Sequence, residues 1–192
     1  MCYAVYVWRV IWENSNWVHS FFLGGTRCRV RDPNAFTDGP RTAAMLEPGD
    51  SAPAVSAPNQ RGESVSPDFE EPTVVYFYPK DFTGGCTIEA NDFQDALPEF
   101  RDSGIAVYGV SMDDVDTHAD FADEEGIDFE LLADTDGAVA EAFGLDTSEG
   151  YTDRLTFVLA GGEVVAVYDP EMADPSGHAR EVLTETREKY VS

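Results

Sequence analysis

The sequence predicts an α/β sandwich in which helices cover a mixed β-sheet. Between residues 73 and 143, apolar runs of strand length alternate with segments of helical periodicity, which is the order expected for parallel strands joined by helices. Further along, two strand patterns flank Gly161-Gly162, a dipeptide typical of a hairpin turn. Parallel strands combined with an antiparallel hairpin make the predicted sheet mixed.

The first part of this pattern contains one strand and one long helix. Residues 73–78 form an apolar, β-branched and aromatic run of buried-strand length, and Pro79 ends it. After a loop over residues 80–85, a helical pattern extends from about residue 86 to residue 102, and Pro98 is expected to kink or split it. The residues predicted to face inward are Ile88, Phe93, Leu97 and Phe100.

The remaining elements follow in alternating order. Residues 48–67 are rich in Pro, Gly and Ser and predict loops with short strands. Beyond the first helix we expect strands at residues 105–110 and 129–132, helices at 114–125 and 138–143, hairpin strands at 155–160 and 163–168, and a helix at about 176–190. This order fits a thioredoxin-like α/β/α sandwich with a mixed central sheet.

Composition divides the chain near Met45. Residues 1–44 hold all three tryptophans and carry charges of 5 − 3 = +2, whereas residues 45–192 carry 7 − 34 = −27. The first segment has no apolar run approaching ~18 residues and lacks the features of a signal peptide. We therefore predict a leader over 1–44, either disordered or a mis-assigned translation start, with an interfacial anchor as the alternative. Residues 45–192 are predicted to form one thioredoxin-like domain.

The net charge of −25 excludes several kinds of partner. Nucleic acids and anionic membranes both require a basic surface, so neither is expected to bind. Mutual repulsion of the acidic side chains would be relieved by a salt-rich cytoplasm. We interpret the charge as a halophilic adaptation and expect a cytoplasmic protein.

Cys86 is the one cysteine of the acidic domain, and its position suggests chemistry. It stands where a helix is predicted to begin, and unpaired N–H groups at a helix N-terminus favour a thiolate. Gly84 and Gly85 let that backbone approach a ligand closely, and Thr83 adds a hydroxyl. From position alone, a small buried apolar cysteine is an equally good interpretation.

A family resemblance favours the chemical interpretation. Residues 75–90 read VYFYPKDFTGGCTIEA and resemble the active-site segment of the peroxiredoxins, most closely the bacterioferritin-comigratory or Q type. The family pattern of Pro, three residues, Thr, two residues and Cys is met by Pro79, Thr83 and Cys86. Similarity continues through three later segments and covers about residues 45–192; these segments are 109–111, 129–134 and 154–158.

The resemblance implies a role for each site residue. Cys86 would be the peroxidatic cysteine, whose thiolate attacks a peroxide oxygen and becomes a sulfenic acid. Thr83 would hydrogen-bond the peroxide, and Pro79 would shield the thiolate from water. Arg154, with the N–H groups of Gly85 and Cys86, would stabilise the thiolate and the charge that moves across the O–O bond.

Two further features concern the family acid and the family's second cysteine. Glu89 matches an acid that orients the arginine; otherwise it is a first-turn Glu favoured by the helix dipole. Many Q-type members carry a resolving cysteine five residues after the peroxidatic one, and here that position is Asn91. The chain therefore predicts a one-cysteine mechanism with an external thiol as reductant, unless Cys2 or Cys28 of the leader resolves the sulfenic acid.

The other candidates are weaker. His118 and His178 are each predicted to be surface residues rather than ligands. Asp113, Asp114 and Asp116 lack the loop pattern of a calcium site, and no metal or cofactor is expected.

The predicted function is a thiol-dependent peroxidase that reduces hydrogen peroxide and organic hydroperoxides and serves cell redox homeostasis. Thioredoxin or a low-molecular-weight thiol would be the reductant, and the enzyme would be a monomer or homodimer. The alternatives are a redox sensor and a thiol–disulfide exchanger, although the latter usually needs a C-x-x-C pair, which this sequence lacks.

Overall fold

The chain forms two compact units, Met1–Gly39 and Pro40–Ser192. The computed structural model describes residues 12–13, 16–17, 44–170 and 175–190. In the first unit, strands β1 (Trp12–Glu13) and β2 (Asn16–Trp17) pair antiparallel, with Trp12 opposite Trp17. The leader predicted for residues 1–44 lies almost entirely outside the described residues, as do Cys2 and Cys28.

The second unit is built from alternating strands and helices. A short antiparallel pair, β3 (Ala57–Pro58) and β4 (Ser64–Val65), precedes the main elements. These are β5 (Thr73–Phe77), α1 (Gly84–Asp102), β6 (Ala106–Ser111), α2 (Val115–Glu125), β7 (Glu130–Ala133), α3 (Ala138–Ala142), β8 (Leu155–Ala160), β9 (Glu163–Tyr168) and α4 (His178–Tyr190).

Five of these strands form the central sheet, in the order β7-β6-β5-β8-β9. Strands β5, β6 and β7 are parallel, whereas β8 runs antiparallel to both β5 and β9. Alternate residues of β5 enter two different cores. Val74 and Tyr76 pack with residues of α1, α2 and α4, while Val75 and Phe77 pack with residues around α3. The predicted α/β/α sandwich with a mixed sheet is confirmed.

Helix α1 differs from its prediction in two ways. It continues through Pro98, which is exposed, so water can satisfy the carbonyl that this proline leaves without a donor. Ile88 was expected to face inward, but its side chain is 41% exposed. The buried position is taken instead by Glu89, because a buried arginine pairs with this carboxylate. None of the described helices is both long and apolar enough to span a bilayer.

The prediction that His118 and His178 are surface residues is wrong. His118 is fully buried on the inner face of α2, at helical spacing from Phe121 and Ala122. His178 begins α4, and its Nε2 is hydrogen-bonded to Oγ1 of Thr156 at 2.8 Å. The acidic sequence around His118 masks the apolar stripe on which it lies.

Burial of His178 predicts a destabilisation of the protein in mild acid. Burial lowers the pKa of His178 from 6.5 to about 4, with Asp92 raising it and Arg154 lowering it further. Below pH 6.5 His178 binds a proton in the unfolded chain, whereas in the folded chain it stays neutral down to about pH 4. The free energy of unfolding therefore falls across this window, by up to about 1.4 kcal/mol per pH unit.

The measurement is urea unfolding of the parent and of His178→Gln between pH 7 and pH 4. Carboxylates titrate in both proteins, so the difference between the two slopes isolates His178. We expect a flatter pH dependence in the variant. Equal slopes would show that His178 has the same proton affinity in the folded and unfolded states.

Candidate active site

Cys86 lies in the first turn of α1, directly after the loop that leaves β5. Thr83 occupies the N-cap position with extended backbone (φ −97°, ψ 144°), and its carbonyl accepts the first helical hydrogen bond, from Thr87 N at 2.9 Å. The N–H groups of Gly84, Gly85 and Cys86 precede that bond and have no acceptor within the helix. They lie in the same helical turn as Cys86, which is only 2% exposed. The local backbone thus provides donors beside a protected sulfur atom.

Arg154 reaches this thiol from the neighbouring strand. It immediately precedes β8, which pairs with β5, and its side chain is 2% exposed. Its Nη2 donates to Sγ of Cys86 at 3.4 Å, and its Nη1 donates to Oε2 of the fully buried Glu89. The guanidinium thus places a positive charge and an N–H donor directly against the sulfur atom.

Glu89 and Arg154 form a buried ion pair in which one atom of each side chain has no hydrogen-bond partner in the part of the chain that the structure describes. Burial raises the pKa of Glu89 to about 7, against the opposing effect of the Arg154 charge. Glu89 Oε1 and Arg154 Nε have no hydrogen-bond partner among the described residues. Two guanidinium nitrogens of Arg154 therefore donate to Cys86 and Glu89, while the N–H of Nε has no partner within the described ranges.

The remaining predicted site residues flank the same turn. Thr83 is exposed, and its Oγ1 donates to the carbonyl of Lys80 at 2.9 Å, which leaves the oxygen lone pairs free to accept. Pro79, half-buried, opens the loop after β5. The structure brings Cys86, Arg154 and Glu89 into direct contact and places Thr83 and Gly85 in the adjoining backbone.

The sequence analysis missed a buried polar group beneath this loop. Tyr78 Oη donates to Oδ1 of Asp81 at 2.7 Å, and Nδ1 of His118 lies 2.7 Å from Oδ2 of the same carboxylate. Asp81 is 37 residues from His118 along the chain, and no spacing motif connects them. The one available signal was a histidine at an inward position of an otherwise acidic helix.

The acidic residues near α2 have structural partners. Asp114 caps α2 by accepting from Thr117 N at 2.8 Å, and Asp113 accepts from Asp81 N at 2.9 Å. Within the described part of the chain, no group of three or more His, Cys, Asp or Glu side chains could hold a metal ion.

Asn91, which stands where many Q-type relatives have their second cysteine, joins α1 to α2. Its Nδ2 donates to Oε2 of Glu125 at 2.8 Å. A second pair of contacts lies one turn further along, where Gln94 exchanges hydrogen bonds with Asp128. These hydrogen bonds join α1 to α2 and to the segment that follows α2.

The mixed sheet has a thioredoxin-like fold, and its cysteine at a helix N-terminus, next to a buried arginine, is the arrangement typical of enzymes that use a cysteine nucleophile. The profile of the AhpC/TSA family matches residues 48–167, and the chain belongs to this family. It is a peroxiredoxin of the bacterioferritin-comigratory or Q type, and hence a thiol-dependent peroxidase.

Individual proteins agree with this assignment. Peroxiredoxin Bcp of Escherichia coli K12 is 37% identical over 134 residues, which cover 65% of this chain and 86% of that protein. The solved structure of peroxidoxin BcpB from Mycobacterium tuberculosis has a TM-score of 0.68 at 30% identity, covering 76% of this chain and 99% of that one. Peroxiredoxin Q of Xanthomonas campestris has a TM-score of 0.66 at 33% identity, covering 76% and 98%.

Proposed function

We propose that Cys86 is the peroxidatic cysteine of this enzyme and that an external thiol regenerates it. The observation that carries this proposal is the contact between Sγ of Cys86 and Nη2 of Arg154 at 3.4 Å, in the first turn of α1. A thiolate held there has a permanent positive charge on one side and backbone N–H donors on the other.

The first step transfers one oxygen atom to sulfur. An electron pair of the thiolate forms an S–O bond to one peroxide oxygen, and the O–O bond breaks. The departing oxygen takes the peroxide proton and leaves as water or an alcohol, so Cys86 becomes a sulfenate. A proton from solvent converts this sulfenate to the sulfenic acid. Arg154 and the N–H groups of Gly85 and Cys86 stabilise the charge that moves along the S–O–O axis.

Thr83 and Pro79 orient and protect the reactants in this proposal. Because the Thr83 hydroxyl already donates to Lys80, its oxygen is suited to accept a hydrogen bond from the peroxide O–H. In this proposal the ring of Pro79, which has no N–H donor, keeps water away from the thiolate. Glu89 holds the guanidinium of Arg154 in place through Nη1.

The second step consumes two external thiols. The first forms a mixed disulfide with Cys86 and releases water, and the second displaces Cys86 as a thiol and leaves as part of a disulfide. Asn91 supplies no resolving sulfur, and Cys86 is 2% exposed. A low-molecular-weight thiol fits this buried site better than thioredoxin does. Monomer and homodimer remain the proposed assemblies, and the acidic charge supports a salt-rich cytoplasm as the setting.

The test uses the full chain with Cys2→Ser and Cys28→Ser, so that Cys86 is the one remaining cysteine. One equivalent of hydrogen peroxide is expected to add the mass of one oxygen within seconds, and a sulfenic-acid reagent should trap the product. The matched control, with Cys86→Ser as well, should show neither change. An unmodified parent after minutes would refute the role of Cys86.

The same experiment on the unsubstituted chain tests the one-cysteine mechanism. We expect the sulfenic acid to persist until a small thiol is added. Spontaneous loss of water to give an internal disulfide would show instead that Cys2 or Cys28 resolves Cys86. Faster reduction by thioredoxin than by a small thiol would overturn the proposed reductant.

A further inference from the structure

A chain of buried hydrogen bonds lies beneath the loop that carries Thr83. The carboxylate of Asp81 accepts from Tyr78 Oη and is paired with Nδ1 of His118, both at 2.7 Å. Nε2 of His118 lies 3.2 Å from the carbonyl oxygen of Leu132 in β7. Asp81 is 3% exposed and His118 is fully buried. Nothing in the peroxidase step described above uses these groups.

The backbone of Asp81 is held as firmly as its side chain. Its N–H donates to Oδ2 of Asp113 at 2.9 Å, and the same oxygen accepts from Oγ of Ser111 at 2.9 Å. Asp81 is therefore fixed by Asp113, which follows β6 and is hydrogen-bonded to its last residue, and by His118 of α2. Asp81 itself stands five residues before Cys86 along the chain.

The residue that follows Asp81 has a strained backbone. Phe82 has φ +57°, in the left-handed region that non-glycine residues rarely adopt. Its ring contacts the buried ring of Phe121 edge-on, with centroids 5.2 Å apart. Such a conformation persists only where the surroundings enforce it, and here the surroundings are the fixed Asp81 and the ring of Phe121. Thr83 comes next and therefore takes its position from this conformation.

We infer that Asp81 and His118 are positioning residues for the peroxidase reaction. They hold the loop from Pro79 to Thr83 in the conformation that presents Thr83 to a peroxide beside Cys86, and they touch neither the peroxide nor the sulfur. This inference rests on the proposed role of Cys86. Loss of the pair should slow oxygen transfer while leaving the thiolate itself, which Arg154 and the helix N-terminus stabilise, unchanged.

The test compares two reactions of Cys86 in the full chain lacking Cys2 and Cys28. The rate of sulfenic acid formation with hydrogen peroxide depends on Thr83, whereas the rate of alkylation by iodoacetamide depends on the thiolate and its accessibility. For His118→Gln and Asp81→Ala we expect roughly 10- to 100-fold slower oxidation, with alkylation within twofold of the parent. Asp81→Asn retains an acceptor for Tyr78 and should recover part of the loss.

Gln60→Ala is the matched control. Gln60 makes one hydrogen bond to Leu131 of β7, the strand that His118 also contacts, and one to Phe129 just before that strand. The substitution removes both. Its oxidation and alkylation rates should both equal those of the parent. Should the Asp81 and His118 variants lose stability as Gln60→Ala does and keep the parent's oxidation rate, the pair is structural and the inference fails. A parent that does not react with peroxide at all refutes the proposed function itself, and the inference with it.

Discussion

Replacement of Arg154 by methionine is expected to slow the oxidation of Cys86 by hydrogen peroxide about 10²- to 10³-fold, the usual cost of losing one preorganised donor to a developing negative charge. Arg154 is the buried cation that contacts Sγ, and methionine fills a similar volume without a charge or a donor. Oxidation would be followed by quenched-flow mass spectrometry of the full chain. The oxidation rate of Arg154→Lys should lie between those of the parent and Arg154→Met, because lysine keeps the charge but loses the forked geometry of the guanidinium.

The control addresses the carboxyl that the substitution leaves unpaired. Glu89 is fully buried, and without Arg154 nothing opposes the effect of burial on its pKa, so its carboxyl would bind a proton and lack a partner. The Glu89→Gln/Arg154→Met double variant replaces this carboxyl by an amide that does not titrate, and it should oxidise as slowly as the single variant. Oxidation of both variants within threefold of the parent would show that Arg154 does not assist oxygen transfer.

Removal of salt is expected to destabilise the acidic domain strongly. Raising KCl from 0.1 M to 2 M should increase Tm by about 10 °C, equivalent to on the order of 3 kcal/mol for a domain of this size. Like charges repel along exposed helix faces, as between Asp116 and Asp120 in α2 and between Asp95 and Glu99 in α1. Each such pair costs roughly 0.2–0.5 kcal/mol, and concentrated salt screens it.

The control for this prediction separates screening from general salt effects. Asp116→Asn/Asp120→Asn should show a smaller rise of Tm with KCl than the parent, because one repulsive pair is gone. Thermal scans in KCl and in an osmolyte of equal osmolality give the comparison. A Tm independent of KCl would remove the support for a halophilic adaptation.

The order of strands and helices could be predicted from the sequence because its signals are local. The apolar run that forms β5 and the Gly161-Gly162 turn each fix one element without reference to the rest of the chain. The same local signals misplaced Ile88. The phase of α1 is set by the pairing of Glu89 with Arg154, 65 residues away, and no periodicity within the helix reports such a partner.

In the candidate site, too, local motifs could be predicted from the sequence and contacts between distant segments could not. Cys86 and Thr83 belong to one short motif, so sequence alone could bring them together. Asp81 and His118 meet only because α2 packs beside the active-site loop, and their sequence context is that of a solvated acidic surface. Local patterns therefore report no buried polar pair formed by distant segments. The family resemblance implied that Glu89 orients Arg154, but nothing in the sequence indicated that Asp81 pairs with His118.

The burial of Arg154 and Glu89 separates this enzyme's chemistry from the ionic composition of its surroundings. At 1 M salt the screening length in water is about 3 Å, so charges on the surface are strongly screened. The charges of Arg154 and Glu89, whose side chains are at most 2% exposed, are screened much less. Salt then sets the fraction of molecules that are folded, while the reactivity of each folded molecule stays constant. Such a peroxidase would keep the same intrinsic speed through wide swings in salinity.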